Sequence, residues 1–461
     1  MGYPPGPKEK YPGSLLLEFR RNPIKLLMRV AQEYGRIAHI RFGWAHAFLL
    51  SDPELIKDVL VTHHQYFIKS RGLQVAKRLL GEGLLTSEFE FHHKQRRLIQ
   101  PAFHHSRIAT YASTMAEYAE RMSGQWLRSG LDGKSLDIHR EMMRLTLAIV
   151  AKTLFNADVE AEAKDVGEAL TQVMENFSRL TNPLSPILDR LPLPSNKKFE
   201  EAKSKLDSIV YRMIEEHKRE EKENKGSSNK NEDLLSMLLA AYEDSNGGNN
   251  REMTTTQVRD EAMTLFLAGH ETTANALTWT WYLLSLNPKA ETRLHEELHS
   301  VLGGCTPTFD DVPKLEYTNM IITESMRLYP PAWILGRQPI KDYLVYGRYN
   351  IPAGSTVLMS QYVMHRQPDF FPDPESFKPE RWTAEFKASL PKYCYFPFGA
   401  GPRSCIGEPF AWMEMILVLA TIAQRWQLRH VPSHRVELLP RITLRPKYGM
   451  EMILEKRGKT G

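Results

Sequence analysis

Cysteine is scarce: Cys305, Cys394 and Cys405 are the only three in 461 residues. That excludes a disulfide framework and points to a reducing compartment. Long apolar runs are missing as well. No stretch approaches the roughly 18 to 20 residues that a membrane-spanning helix needs. The opening residues, Met1-Gly2-Tyr3-Pro4-Pro5-Gly6-Pro7-Lys8, lack the apolar centre of a secretory signal. Charge of one sign is not in excess either: 60 Lys and Arg against 55 Asp and Glu leave +5, too little and too dispersed to suggest nucleic acid as a partner. No internal repeat is present. These absences leave a chain expected in the cytoplasm, with no membrane span. Apolar side chains are abundant, at 42% of residues, enough for a large core in a length of two or three average domains.

Read in order, turn signals alternate with helical periods. Asn22-Pro23 predicts the start of a short helix and Gly35 its end. Residues 37–50 alternate like a hairpin turning at Gly43 and Trp44, and Asp52-Pro53 caps a further helix. Residues 71–90 have no clean period and read mostly as loop. His92-His93-Lys94-Gln95-Arg96-Arg97 falls in a helix ended by Pro101, and such a cluster by itself reads as a solvated basic face. Amphipathic helices fill 106–220, broken between Asn182 and Pro194. Charged stretches at 220–233 and 244–250 predict surface connections too short to be domain boundaries.

The longest helical candidate runs from Thr254 to Asn287, with Thr254-x-x-Gln257 as a capping box and Pro288 as a stop. At about 1.5 Å per residue it would span close to ~50 Å. Its second half is apolar nearly all round, the pattern of a helix buried through the middle of a molecule. Gly269-His270-Glu271-Thr272-Thr273 interrupts that pattern. A buried carboxyl and hydroxyl cost free energy unless paired, so packing supplies no reason for them. For Thr272 the structural alternative is a bond back to the preceding turn. Further on, Glu324 and Arg327 share a face of a helix over 315–328, by default an exposed pair worth less than ~1 kcal/mol. Residues 332–335 are expected to run as a strand, with short alternating segments at 343–349 and 355–360. Residues 373–398 read as irregular, and only short strands are expected beyond Leu428.

Phe398-Gly399-Ala400-Gly401-Pro402-Arg403-Ser404-Cys405-Ile406-Gly407 places one cysteine at the end of a glycine–proline turn. A helix with Pro409 in its first turn is predicted to follow immediately, and a helix N-terminus favours a thiolate. Two other readings stand beside this one: an inert buried thiol, or a zinc ligand. Cys394 is the only nearby thiol, and no close-spaced Cys or His pair accompanies it.

The complete pattern Phe-x-x-Gly-x-Arg-x-Cys-x-Gly resembles the haem-binding loop of the cytochrome P450 family. Three further segments match that family in order. Ala268-Gly269-His270-Glu271-Thr272 is similar to its oxygen-activation motif, Glu324-Ser325-Met326-Arg327 to its Glu-x-x-Arg, and Pro379-Glu380-Arg381-Trp382 to the segment whose arginine completes that ion-pair network. The resemblance implies a mainly α fold with small β-sheets around a buried haem, crossed by the long central helix. It implies one haem-thiolate monooxygenase domain over residues 1–461, with no membrane anchor and no fused reductase. The cofactor would be haem b, iron protoporphyrin IX, with Cys405 as axial thiolate and metal ligand. Phe398, Ala268 and Gly407 would be further cofactor-binding residues. Arg403, Arg96 and Arg337 are expected on the propionates, together with His92, which stands where the family usually has tryptophan. Glu271 and Thr272 are the expected acid and alcohol that deliver protons. The break at 182–194 falls where the family keeps a lid, although an ordinary surface loop reads equally well from the residues.

The activity so implied inserts one oxygen atom from O2 into a C–H bond, or a double bond, of an apolar small molecule such as a fatty acid, terpenoid or steroid. Phe266, Ala268, Trp333, Ile334 and Leu335 are expected to line its pocket. Ala268 excludes the covalent haem bond that a glutamate forms at this position in one fatty-acid-hydroxylating subgroup. Electrons would come from a separate ferredoxin or flavodoxin and its NAD(P)H reductase, with Lys94, Arg97, Lys387 and Lys392 as a basic surface. A monomer is expected. Two alternatives remain: a haem-thiolate protein that uses or isomerises peroxides, whose relatives lack the acid–alcohol pair, and a haem-based sensor or carrier, which would not need it.

Overall fold

The computed structural model describes residues 2–159, 162, 165–169, 172–173, 193–223, 233–244 and 253–458. The break expected between Asn182 and Pro194 lies outside these residues except for its last two positions. Most of the two charged connections, at 224–232 and 245–252, also lies outside them. Among the described residues helices dominate and the sheets are small, as expected. The chain divides into two compact units. One comprises residues 1–74, 323–405 and 438–445; the other comprises 75–322, 406–437 and 446–461.

The first unit is built on a five-stranded sheet in the order Ile37–Phe42, Ala45–Leu50, Thr356–Met359, Leu335–Pro339, Phe67–Lys69. The first two strands form the expected hairpin, with Ile37 opposite Leu50 and Phe42 opposite Ala45. Gly43 makes its turn at φ 66°. Helix Pro23–Tyr34 starts on Asn22, whose side chain accepts from the Lys25 N–H at 2.9 Å, and stops at Gly35. Its apolar face, Leu26, Leu27 and Val30, is buried with Ala38, Ile40, Leu49 and Leu358.

Two features of this unit differ from the sequence reading. The strand expected at 332–335 begins only at Leu335. Pro330 and Pro331 have no N–H for a ladder, and Trp333 turns into the core, where its Nε1–H donates to the Arg441 carbonyl at 2.9 Å. The helix capped by Asp52, Pro53–Lys57, continues into a π-helical turn, Asp58–Thr62. Hydrophobic periodicity carries no signal for such a turn.

In the second unit the helix Thr255–Leu286 has 32 residues, about 48 Å at the standard rise. Thr254 and Gln257 exchange the two capping-box bonds, at 3.2 and 2.6 Å. Helix Ile138–Phe155 packs closely on it at Gly269, where a Cβ would lie 3.0 Å from Val150 Cγ2. From the same helix, the Thr146 hydroxyl donates to the His270 carbonyl at 2.9 Å. Helices His105–Arg128 and Glu408–Ala423 complete the packing. A small antiparallel sheet sets Glu451–Lys456 between Ser135–Asp137 and Trp426–His430. The three-residue strand at 135–137 was hidden in the sequence because Asp137 also caps the next helix, accepting from His139 N–H at 3.1 Å. Residues 71–90 hold two short helices, Arg71–Val75 and Lys77–Leu80, before a loop. Among the described residues no helix is long and apolar enough to cross a membrane.

Candidate active site

Four of the candidate residues fall in the first unit. The segment before Cys405 folds back on itself, with Gly399 N–H donating to the Phe396 carbonyl and Cys405 N–H to the Phe398 carbonyl, each at 2.9 Å. Gly401–Arg403 forms a 3-10 turn. Gly401 has φ +69°, and a Cβ there would lie 2.1 Å from the carbonyl oxygen of Leu60 in the π-helical turn, so only glycine fits. Phe398 and Arg403 are partly buried, and Cys405 is exposed. Cys394 is fully buried, and burial pushes its thiol up to about 11. Of these two thiols Cys405 is the accessible one; Cys305 is exposed as well but lies outside the loop, so the glycine-shaped turn is what marks Cys405 as the thiolate donor. Arg337 lies on the strand Leu335–Pro339, buried, with Nη1 donating to the Gly336 carbonyl at 3.0 Å. That strand adjoins the cysteine loop: Leu335 Cδ1 would be 3.6 Å from a Cβ on Gly399.

The ion-pair network in this unit is buried, as the family resemblance implies, rather than the exposed pair that the spacing alone suggests. Arg327 grips Glu324 with Nε and Nη2, both at 2.8 Å, and both side chains have 0% exposure. Arg381 Nε reaches Glu324 at 2.9 Å, as expected. The sequence reading missed two members. Trp382 Nε1–H donates to Glu324 at 2.9 Å, and His365 links the network to the loop. Its carbonyl accepts from Arg327 Nη1 and its Nε2 accepts from the Phe396 N–H, each at 3.0 Å. Burial holds the His365 imidazole well below its usual range, so it stays neutral and can accept.

The second unit carries the other six. His92 and Arg96 lie four apart on helix Phe89–Ile99 and so share a face. His92 is buried and its Nδ1 meets the Leu84 carbonyl at 3.1 Å; Arg96 is partly buried. Gly407 is the N-cap of Glu408–Ala423. On the central helix every residue from Val258 to Trp281 is buried except Ala268, Gly269 and Thr272. Ala268 and Thr272 fall on one side of the helix at i and i+4 and leave it uncovered there, whereas Gly269 is the close-packed position against Val150. Glu271 is buried next to it, and the Thr272 hydroxyl donates to the Ala268 carbonyl at 2.8 Å. His270, within the motif, is fully buried, and burial pushes it down to about 4. Phe266, expected to line the substrate pocket, instead packs on Phe155 in the core, and Trp333 is a core residue as described. The zinc alternative loses support: among the described residues no group of three His, Cys, Asp or Glu is placed to hold a metal ion.

Comparison with known proteins agrees with this geometry. The family model for cytochrome P450 matches residues 4–451, and the chain belongs to the cytochrome P450 family. It is accordingly a haem-thiolate monooxygenase, using O2, a small-molecule substrate and redox partners. Cyclooctatin synthase of Streptomyces melanosporofaciens is 39% identical over 425 residues, covering 92% of this chain and 89% of that protein. Cyclooctat-9-en-7-ol 5-monooxygenase of the same organism is 36% identical, covering 90% and 86%. Pentalenene oxygenase of Streptomyces avermitilis is 33% identical, covering 90% and 89%. A crystal structure of a cytochrome P450DA mutant heme domain superimposes with a TM-score of 0.85 at 24% identity, over 99% of this chain and 98% of that one, which shows the shared fold.

Proposed function

We propose that this chain oxygenates a cyclic terpenoid, with Cys405 as the axial thiolate of haem b and Glu271 and Thr272 as the acid–alcohol pair. The observation that carries the assignment is the uncovered side of the central helix at Ala268 and Thr272, with Glu271 buried at its edge. The substrate class is supported by the relatives named for cyclooctat-9-en-7-ol and pentalenene. Haem bound through a thiolate supplies the chemistry that favours O–O cleavage. The chain's own residues do the rest. Thr272 commits its hydrogen to the Ala268 carbonyl, so on the open face it offers lone pairs and acts as a hydrogen-bond acceptor. Glu271 holds the proton to be passed on. Arg403, Arg337 and Arg96, with His92, neutralise the cofactor's two carboxylates through charge-assisted bonds, and Phe398 and Gly407 complete the cofactor-binding set.

In this reading residues 1–461 act as one domain, a monomer in the cytoplasm. Electrons come from a separate ferredoxin or flavodoxin and its NAD(P)H reductase. Lys94 and Arg97 in one unit and Lys387 and Lys392 in the other are exposed, which suits an acidic partner. The test is a panel of cyclic terpenoids, fatty acids and steroids, read by the spectral shift each induces in the ferric haem and by hydroxylated product. Terpenoids are expected to give the largest shifts. Shifts and product from fatty acids or steroids alone would overturn the substrate class.

A further inference from the structure

The second turn of the central helix carries three consecutive charged residues, Arg259, Asp260 and Glu261, and all three are buried; Glu261 has 0% exposure. Buried carboxylates need hydrogen-bond donors, and these come from the segment 81–84, Gly-Glu-Gly-Leu. The Glu82 N–H donates to Asp260 Oδ2 and the Leu84 N–H to Glu261 Oε2, each at 2.9 Å. Arg259 completes the set, with Nη1 on Asp260 at 2.9 Å and Nε on Asp207 at 2.8 Å. Both glycines are needed for so close an approach. A Cβ on Gly81 would fall 2.0 Å from Asp260 Oδ2, and one on Gly83 would fall 2.2 Å from Thr264 Oγ1. The segment therefore lies directly on the helix turn 260–264.

Leu84 is held from both sides of its backbone. Its N–H is on Glu261, and its carbonyl meets His92 Nδ1 at 3.1 Å. A carbonyl can only accept, so Nδ1 bears the hydrogen, and Nε2 can donate only when the ring is an imidazolium. The Leu84 backbone thus couples a carboxylate on the central helix to the tautomer of a ring four residues from Arg96.

We propose that Glu261 is a positioning residue for cofactor capture: by clamping Leu84 it fixes the ring and tautomer of His92, so that His92 meets a haem propionate beside Arg96 with a charge as well as a bond. This rests on the reading of His92 and Arg96 as propionate-binding residues. The test follows haem transfer from purified holoprotein to excess apomyoglobin. Glu261→Leu is expected to release haem roughly 10- to 100-fold faster, the usual effect of losing an outer-shell partner. Glu261→Gln should stay near wild type, because its amide oxygen still accepts from Leu84. In a His92→Leu background, adding Glu261→Leu should bring no further acceleration, an outcome that a merely structural role for Glu261 would not give. If Glu261→Leu does not fold, Gly83→Ala lifts the same segment while keeping the Glu261 carboxylate, and should also speed release. Wild-type release rates in whichever of these two variants folds, or independent, multiplying effects of Glu261 and His92, would overturn the proposal. The reduced carbon monoxide complex separates the two levels of failure. A wild-type protein without a thiolate-type band overturns the cofactor reading and the clamp together, whereas a normal band with unchanged release overturns the clamp alone.

Discussion

Truncating Glu324 to alanine removes the acceptor at the centre of the ion-pair network. Its two oxygens receive Arg327 Nε and Nη2 at 2.8 Å, Arg381 Nε and Trp382 Nε1 at 2.9 Å, and the Lys378 N–H at 3.0 Å. Glu324→Ala would leave the Arg327 guanidinium at 0% exposure without its counter-charge, retaining only the carbonyls of His365, Pro374 and Ser376. Removing one partner of a buried pair costs roughly 3 to 5 kcal/mol. Against a typical total stability of about 5 to 15 kcal/mol, that is from roughly a fifth upward of what holds a domain folded. The damage should also reach the cysteine loop through His365 and Phe396. Glu324→Gln keeps the volume but turns one acceptor into a donor facing other donors, so it should be destabilised too. The assay is urea unfolding followed by haem absorbance and by fluorescence, with haem content per protein. Low holoprotein yield and a much earlier midpoint are expected. A Glu324→Ala protein with full haem and the wild-type midpoint would refute the reasoning.

Thr272→Ala should keep haem and substrate binding while the yield of product per electron falls, with peroxide formed instead; losing a proton-transfer group costs on the order of 10² to 10⁴ in rate. Equal coupling in both proteins would leave Thr272 with only its bond to Ala268. Gly401→Ala combines a left-handed φ with a clash against the Leu60 carbonyl. It should cost at least ~1 kcal/mol and lower haem content, both measurable by the same unfolding titration. His270, pushed down to about 4, stays neutral in the native state while the unfolded chain takes up a proton below its ordinary value near 6.5. Stability should therefore fall as pH falls from about 6.5 to about 4, by up to ~1.4 kcal/mol per pH unit from this group. His270→Gln should flatten that slope in urea midpoints measured across the window.

Much of the fold was legible because its boundaries are local chemistry. The Asn22 and Thr254 caps, the Gly35 and Gly43 turns and the proline stops each act within a few residues, and each holds in the structure. The central-helix motif was legible for a different reason: polar residues interrupt an apolar helix without any packing benefit. The other three segments stood out through their resemblance to the family. Long-range pairing was not legible. The sequence says nothing of the burial of Arg259-Asp260-Glu261, which depends on the close approach of Gly81 and Gly83 from far along the chain. Trp382 sits in a family-matching segment with no role of its own and His365 in none, because only the fold brings them to Glu324 and Phe396. Phe266 and Trp333 failed as pocket residues because apolar character does not say which side of an element faces the core.

The central claim is that Cys405, and no other thiol, ligates the haem iron. The direct measurement is the reduced carbon monoxide spectrum of wild type, Cys405→Ala and Cys394→Ala. Wild type and Cys394→Ala should both show the long-wavelength band that thiolate ligation gives, and Cys405→Ala should lose it. A normal band in Cys405→Ala would contradict the account.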